Sequence, residues 1–349
     1  MKRVAFIGVL TGILVVTGLC GCATTRGTMP RQPKLLVELP GYCNTPDAMA
    51  LMPDGGILLS VPNYNDKSVP AVIMHISADN RVSKFLEPPA HPNTGRAGPM
   101  GICLAPSGDV YYADNQFTGQ KSRLMRIEMK GGKPVRVVTV VSGFNVANAV
   151  AIRDGFVYVS DTVLVPDSRP LVSGVLRFRL GEEDVVLKTP VRDDPHVIAT
   201  IVTHNEQILF GADGLAFDPK GNLYIGNFAD GTIHRLTFDA GGSVVTNTIF
   251  VNDPKMKCAD GLFYDPRTNA IYVADMIQNA IQIVSLDGKV RTLAINGDTN
   301  GEAGLLDQPC EAVVRGSKVI VSNMDWPFPG VVNTTFDKPY TISVIDLPK

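Results

Sequence analysis

Residues 213–227 read Asp213-Gly214-Leu215-Ala216-Phe217-Asp218-Pro219-Lys220-Gly221-Asn222-Leu223-Tyr224-Ile225-Gly226-Asn227. Two short apolar runs separated by a Pro-Lys-Gly turn make a β-hairpin. The plan recurs from Asp260-Gly261-Leu262-Phe263, through Asp265-Pro266, to Ile271-Tyr272-Val273-Ala274-Asp275. Looser copies begin at Asp47, Met100, Asn148 and Cys310. The starts at 47, 100, 148, 213, 260 and 310 are spaced by 53, 48, 65, 47 and 50 residues. Such a period marks a stacked-repeat architecture. Six units of this length predict an all-β fold, a six-bladed β-propeller with four antiparallel strands per blade.

Blade four can be drawn in full. Leu215–Asp218 is its inner strand and Asn222–Phe228 its second; Ala229-Asp230-Gly231 turns into Thr232–Phe238, and Ala240-Gly241-Gly242 into Val244–Val251. Asp-Gly and Gly-Gly suit these turns because both tolerate the positive φ of a tight hairpin. Leu35–Leu39 and Thr341–Leu347 are strands left without partners at the two ends of the repeats. Pairing the first with the last blade closes the ring and removes an open edge. The longest step places extra chain at Val163–Val172, expected as a lid loop at the tunnel mouth, and at Gly181–Thr200.

The repeats leave no room for a second domain, so residues 33–349 are expected to form one propeller. A net charge of −2, with no run dense in Lys or Arg, excludes the basic face that nucleic acid requires. Residues 1–22 have another composition: Met1-Lys2-Arg3, then the apolar stretch Val4–Leu19, then Leu19-Cys20-Gly21-Cys22. That order is an export signal, too short and too poorly flanked for a membrane span. Leu-x-Gly-Cys resembles a bacterial lipoprotein box, which implies lipidation of Cys22, a tether over residues 23–32, and a domain on the periplasmic side or cell surface. Ala23, where Asp would resemble an inner-membrane retention signal, favours the outer membrane. Four further cysteines, Cys43, Cys103, Cys258 and Cys310, allow three disulfide pairings, among which sequence does not choose, or none at all.

In a propeller the residue before each inner strand points into the tunnel mouth. These positions hold Asp47, Met100, Asn148, Asp213, Asp260 and Cys310, with Glu311 beside the last. Carboxylates and an amide converging on one axis repel one another unless a cation neutralises them, and oxygen donors suit calcium best among divalent metals. Asp-Gly and Asn before a strand are also ordinary turn chemistry. The second-strand endings Asp114, Asp161, Asn227, Asp275 and Asn323 recur as regularly and read as turn and blade-packing groups.

The Asp213–Tyr224 string, and Asn148-Ala-Val-Ala-Ile followed by Tyr158-Val-Ser-Asp-Thr, resemble the senescence marker protein, gluconolactonase and luciferin-regenerating family. The resemblance covers most of residues 43–348 and implies a calcium-dependent propeller hydrolase. It implies metal ligands at Asp47, Asn148, Asp213 and Asp260, with Asp260 at the family's catalytic Asp. Asp47 departs from a family Glu and Asp213 from a family Asn. A rival register aligns Asp213 with the catalytic Asp. The implied reaction is hydrolysis of a lactone or related ester, with calcium on the carbonyl oxygen and Asp260 first, Asp213 second, activating water. Neither a G-x-S-x-G elbow nor a P-loop occurs.

Two other readings stay open. One is a non-catalytic propeller lipoprotein binding a sugar or protein partner. The other is a metal-free scaffold like strictosidine synthase, whose carboxylates would pair with a basic side chain. His75 and His234 read as third-strand residues; His196 and His204 fall in the long insertion, and His91 in the loop entering blade two. Trp326-Pro327-Phe328-Pro329 reads as a substrate wall or as loop packing.

Overall fold

A computed structural model of the chain describes residue 1 and residues 29–347. The export signal, Cys22 and residues 23–28 of the tether lie outside the described residues. Six sheets are arranged as the blades of a propeller, each built on four antiparallel strands that follow the order of the chain except for the outermost strand of blade six. The inner strands are Met49–Leu51, Pro99–Leu104, Ala147–Arg153, Ala212–Phe217, Leu262–Asp265 and Pro309–Arg315. Blade four follows its sequence reading to within about three residues, with Leu223–Asn227, Thr232–Phe238 and Val244–Asn252 outside its inner strand. Among the described residues the helical elements are two short 3-10 turns, Val191–Asp193 and Glu302–Gly304, and no helix is long and apolar enough to cross a membrane.

The ring closes as the unpaired terminal strands require. Lys34–Glu38 pairs antiparallel with Thr341–Asp346 and becomes the outermost strand of blade six. A blade is covered on both faces, so its strands are apolar on both faces. In blade two Val110 and Tyr112 pack toward blade one, while Tyr111 and Ala113 pack toward blade three. The other seams are built the same way, for example Tyr224 and Ile233 against Ile271 and Val273 between blades four and five.

The extra chain of the long third step is used structurally. Val185–Val186 adds a fifth, parallel strand beside Val141 and Ser142 on the outer edge of blade two, covering an edge that would otherwise offer unpaired backbone. Val163–Val172 is the end of a hairpin, closed by the pairing of Val165 with Val172. It lines neither cavity at the axis, while Leu164 and Val165 pack in the same apolar cluster as Phe210, Phe228 and Phe328; the segment is a hairpin end rather than the open loop expected there.

Candidate functional site at the propeller axis

Three local devices aim the axial residues. In blades two, three, four and six the inner strand begins with a register shift, between Pro99 and Ile102, Ala147 and Val150, Ala212 and Leu215, and Pro309 and Glu311. A bulge redirects a side chain that regular pairing would send into a blade face; here those residues are Met100, Asn148, Asp213 and Cys310. The second device is a clamp at the end of the second strand. Asp114 accepts from Gly98 N (2.7 Å), Asp161 from Asn145 N and Val146 N (2.9 Å each), Asp275 from Lys257 N (3.0 Å) and Asn323 from Asp307 N (3.2 Å). Each acceptor holds the backbone two or three residues before its axial residue. Asn63 does the same for Asn44 in blade one (2.7 Å), a counterpart the sequence reading passes over.

Close approach of neighbouring inner strands is the third device. A Cβ on Gly214 would stand 2.2 Å from Asp260 O, on Gly101 2.4 Å from Asn148 O, and on Gly261 2.4 Å from Cys310 O. Gly261 N donates to Cys310 O at 2.9 Å. None of these three glycines has a positive φ. The Asp-Gly pairs at the axis are therefore not turns; glycine is there because the next blade's backbone occupies the place of a side chain.

Asp47, Asn148, Asp213 and Asp260 line the same two hollows along the axis, one on either side of the ring they form. Asn148 Nδ2 donates to Asp213 Oδ2 at 2.6 Å, and Asp213 and Asp260 stand close enough for each carboxyl to perturb the ionisation of the other. Glu311 and Cys310 complete the side facing the tunnel, where no Lys, Arg or His is present among the lining residues. Burial pushes Asp47 up to about 7 and Glu311 up to about 8. Burial, and then its charged neighbours, raise Asp213 and Asp260 well above the carboxylate range. Two groups so close cannot both ionise without a compensating charge. The Cys310 thiol donates to Pro46 O (3.2 Å).

Opposite the tunnel the ring is covered by an apolar cup. Met100, Phe117, Phe210, Phe228, Met276, Met324, Trp326 and Phe328 line a cavity of about 30 Å3 with the ring as its floor. Trp326 and Phe328 are thus a wall of the site. Phe228, Met276 and Met324 each stand one residue after a second-strand ending, Asn227, Asp275 and Asn323. That register was visible in the repeats, but the sequence reading stopped at the polar residue.

Neither a family model nor a curated protein matches the sequence. Solved structures do. A luciferin-regenerating enzyme is 11% identical with a TM-score of 0.60, over 91% of this chain and 96% of that one. A gluconolactonase from Xanthomonas campestris is 14% identical with a TM-score of 0.58, over 91% and 97%. The likeness is one of fold. It extends to a PQQ-bound aldose sugar dehydrogenase from Streptomyces coelicolor, 17% identical with a TM-score of 0.55, over 92% and 99%. The group whose strings Asp213–Tyr224 and Asn148–Thr162 resemble is thus among the chain's structural neighbours, next to an enzyme of different chemistry.

The remaining sequence candidates lie elsewhere. His75 and His234 sit in third strands, and His234 faces Asn247 at 3.2 Å. His196 pairs with Asp194 at 2.7 Å and stacks on Phe178; the backbone N–H of His204 binds Asp230. His91 is buried, accepts from Asn93 N (3.1 Å), and is held neutral by burial and by Arg123. None of the five lines the axial hollows. Cys43, Cys103, Cys258 and Cys310 are all free thiols.

Proposed function

We propose that the protein is a divalent-metal-dependent hydrolase of a lactone or related ester, with calcium as the metal. The observation that carries this reading is the meeting of Asp47, Asn148, Asp213, Asp260 and Glu311 around one axis with no basic side chain among them. The donor set fits a hard cation: oxygen ligands and several negative charges, with the one thiol of the ring bonded to a backbone carbonyl. Among the described residues no three His, Cys, Asp or Glu side chains already stand as a ligating group, so ligation would need these side chains to shift toward one point. It would also need Asp213 and Asp260, held well above the carboxylate range by burial and by neighbouring acids, to lose their protons. Asp47, Asn148, Asp213 and Asp260 would hold the cation, which would supply charge neutralisation and polarise the ester carbonyl.

The chain's own residues have separable tasks. Asp260 is the first candidate to take the proton of the attacking water as its oxygen bonds to the acyl carbon, with Asp213 second. The same carboxyl then returns that proton to the departing alkoxide, leaving acid and alcohol. Asn148, donating to Asp213, fixes which oxygen of that carboxyl stays free. The aromatic cup keeps bulk water from the acyl carbon. An export signal ending at Cys22 would tether this domain by lipid to the outer membrane, facing the periplasm or the cell surface.

Calcium titration by calorimetry tests the metal. We expect stoichiometric binding that Asp213→Asn and Asp260→Asn each abolish, and hydrolysis of lactones that requires the bound metal. No binding by the parent protein would move the assignment to a non-catalytic propeller that binds a sugar or protein partner. The absence of a formed ligating group among the described residues and the burial that keeps Asp213 and Asp260 well above the carboxylate range favour this second reading, since protonated acids are stable there without metal. The scaffold with a basic side chain among the carboxylates has no support at this axis.

A further inference from the structure

The polar lining of the cup is confined to its floor: Asp47, Asn148, Asp213 and Asp260. Its walls are methionine and aromatic side chains. At about 30 Å3 the cup is water-sized, so a ligand reaches the ring only by passing these walls, and the hydroxyls of a polyhydroxylated sugar lactone would find no partner on them, which selects against such a ligand. An alkyl or aryl group meets no such penalty.

Two of the aromatic residues also belong to a second space. Phe117 and Trp326, with ring centroids 5.5 Å apart, line both the cup and a neighbouring groove of about 390 Å3. Tyr64 packs against both, at 5.2 and 5.7 Å, on the groove side. The charged residues lining the groove are Lys67 and Arg96, with no acid among its lining. Arg96 is anchored by its bonds to Asn63 O (3.3 Å) and to Lys67 O, and Lys67 is exposed. The path outward from the ring is therefore carboxylates, then an apolar aromatic partition, then two cations.

We propose that this face binds a soluble amphiphilic anion: an alkyl or aryl lactone or ester whose apolar part lies against Phe117 and Trp326 and whose anionic end meets Lys67 and Arg96. The reactive half of this statement rests on the hydrolase reading; the groove does not. Trp326 is the single tryptophan of the chain, so its emission reports the groove directly. Full-length protein is titrated with decanoate, with decanol as the neutral control and with gluconate as the hydroxylated one. Decanoate is expected to change the emission saturably and to bind about fivefold tighter than decanol, with no response to gluconate. Lys67→Glu is expected to erase the preference for decanoate over decanol. Silence toward decanoate, a response to gluconate, or a preference untouched by Lys67→Glu overturns the proposal. Hydrolysis of δ-decalactone and glucono-δ-lactone is measured alongside. Decanoate binding without hydrolysis of either lactone removes the hydrolase reading and keeps the groove; turnover of the sugar lactone with no decanoate response does the reverse.

Discussion

Raising the pH of the metal-free protein should destabilise it, and calcium should remove that effect. Asp47 is 6% exposed, and burial moves its carboxyl from the ordinary 3.8 to about 7. Between these values the unfolded chain carries an ionised Asp47 while the folded protein keeps it protonated. The unfolded state then binds fewer protons, so stability falls as pH rises, by about 1.4 kcal/mol per pH unit for one group. Across the whole interval Asp47 alone accounts for about 4 kcal/mol, present below pH ~4 and gone above pH ~7. Glu311 moves in the same direction, to about 8; it keeps more contact with solvent and is left out of the magnitude.

Thermal unfolding from about pH 5 to about pH 7 in a chelator should therefore show a midpoint that drops by at least roughly 3 °C per pH unit, the share of Asp47 alone, taking about 2 °C per kcal/mol for a domain of this size. Asp307 and Asp325 are raised to about 8 and about 7 by burial and neighbouring acids and add to the slope without belonging to the ring. Two comparisons isolate the ring. Asp47→Asn should flatten the slope by one group's share, and saturating calcium should raise the midpoint more at the higher pH. A midpoint independent of pH in chelator would refute the buried acid ring. A slope identical with and without calcium would leave the acid ring standing and refute its use as a cation site.

Gly261→Ala should cost on the order of 3 kcal/mol in urea unfolding, since the new Cβ meets Cys310 O at 2.4 Å and the Glu311 carboxyl at 2.8 Å; a loss below about 0.5 kcal/mol would mean the blades can separate there. Arg123→Ala should cost roughly 3–5 kcal/mol, because Arg123 Nε holds the fully buried Asp114 at 2.8 Å and its loss leaves that carboxylate unpaired. The double variant Arg123→Ala/Asp114→Asn should recover part of the loss, and failure to do so would contradict the charge argument. Asp260→Asn should lower lactone turnover at least about 100-fold while leaving the unfolding midpoint equal or higher; turnover within about threefold of the parent would pass the base to Asp213.

The propeller was legible because each blade repeats a hairpin whose turns need particular residues. Pro-Lys-Gly and Gly-Gly mark strand ends in blade four, as Asp-Gly does at Asp230-Gly231, and six equivalent starts give six blades. The pairing of Lys34–Glu38 with Thr341–Asp346 followed from the same logic, since a strand with no local partner must find a distant one. The hairpin at Val163–Val172, expected as an open loop, was not legible for a reason of kind. Pro166, Asp167 and Pro170 announce a turn but not its length, and the flanking valines extend the two strands until Val165 meets Val172.

At the axis the difficulty was different, because one dipeptide carries two physical meanings. Asp230-Gly231 is a hairpin turn, and Gly231 has a φ of +60°. Asp213-Gly214 and Asp260-Gly261 look alike in sequence, yet their glycines are ordinary in φ and crowded by the next blade. Local pattern reads the first meaning; the second exists only once the ring has closed. The same crowding bears on the chemistry. Where the next inner strand lies against Gly214 and Gly261, the backbone beside Asp213 and Asp260 has little room to relax, so two carboxyls are kept in contact that free side chains would separate. A ring assembled by packing between blades, rather than by any one loop, keeps its acidic groups together whether or not a cation is bound. Its cation affinity should therefore track the proton it must displace, tightening as pH rises through the range in which Asp47 and Glu311 ionise.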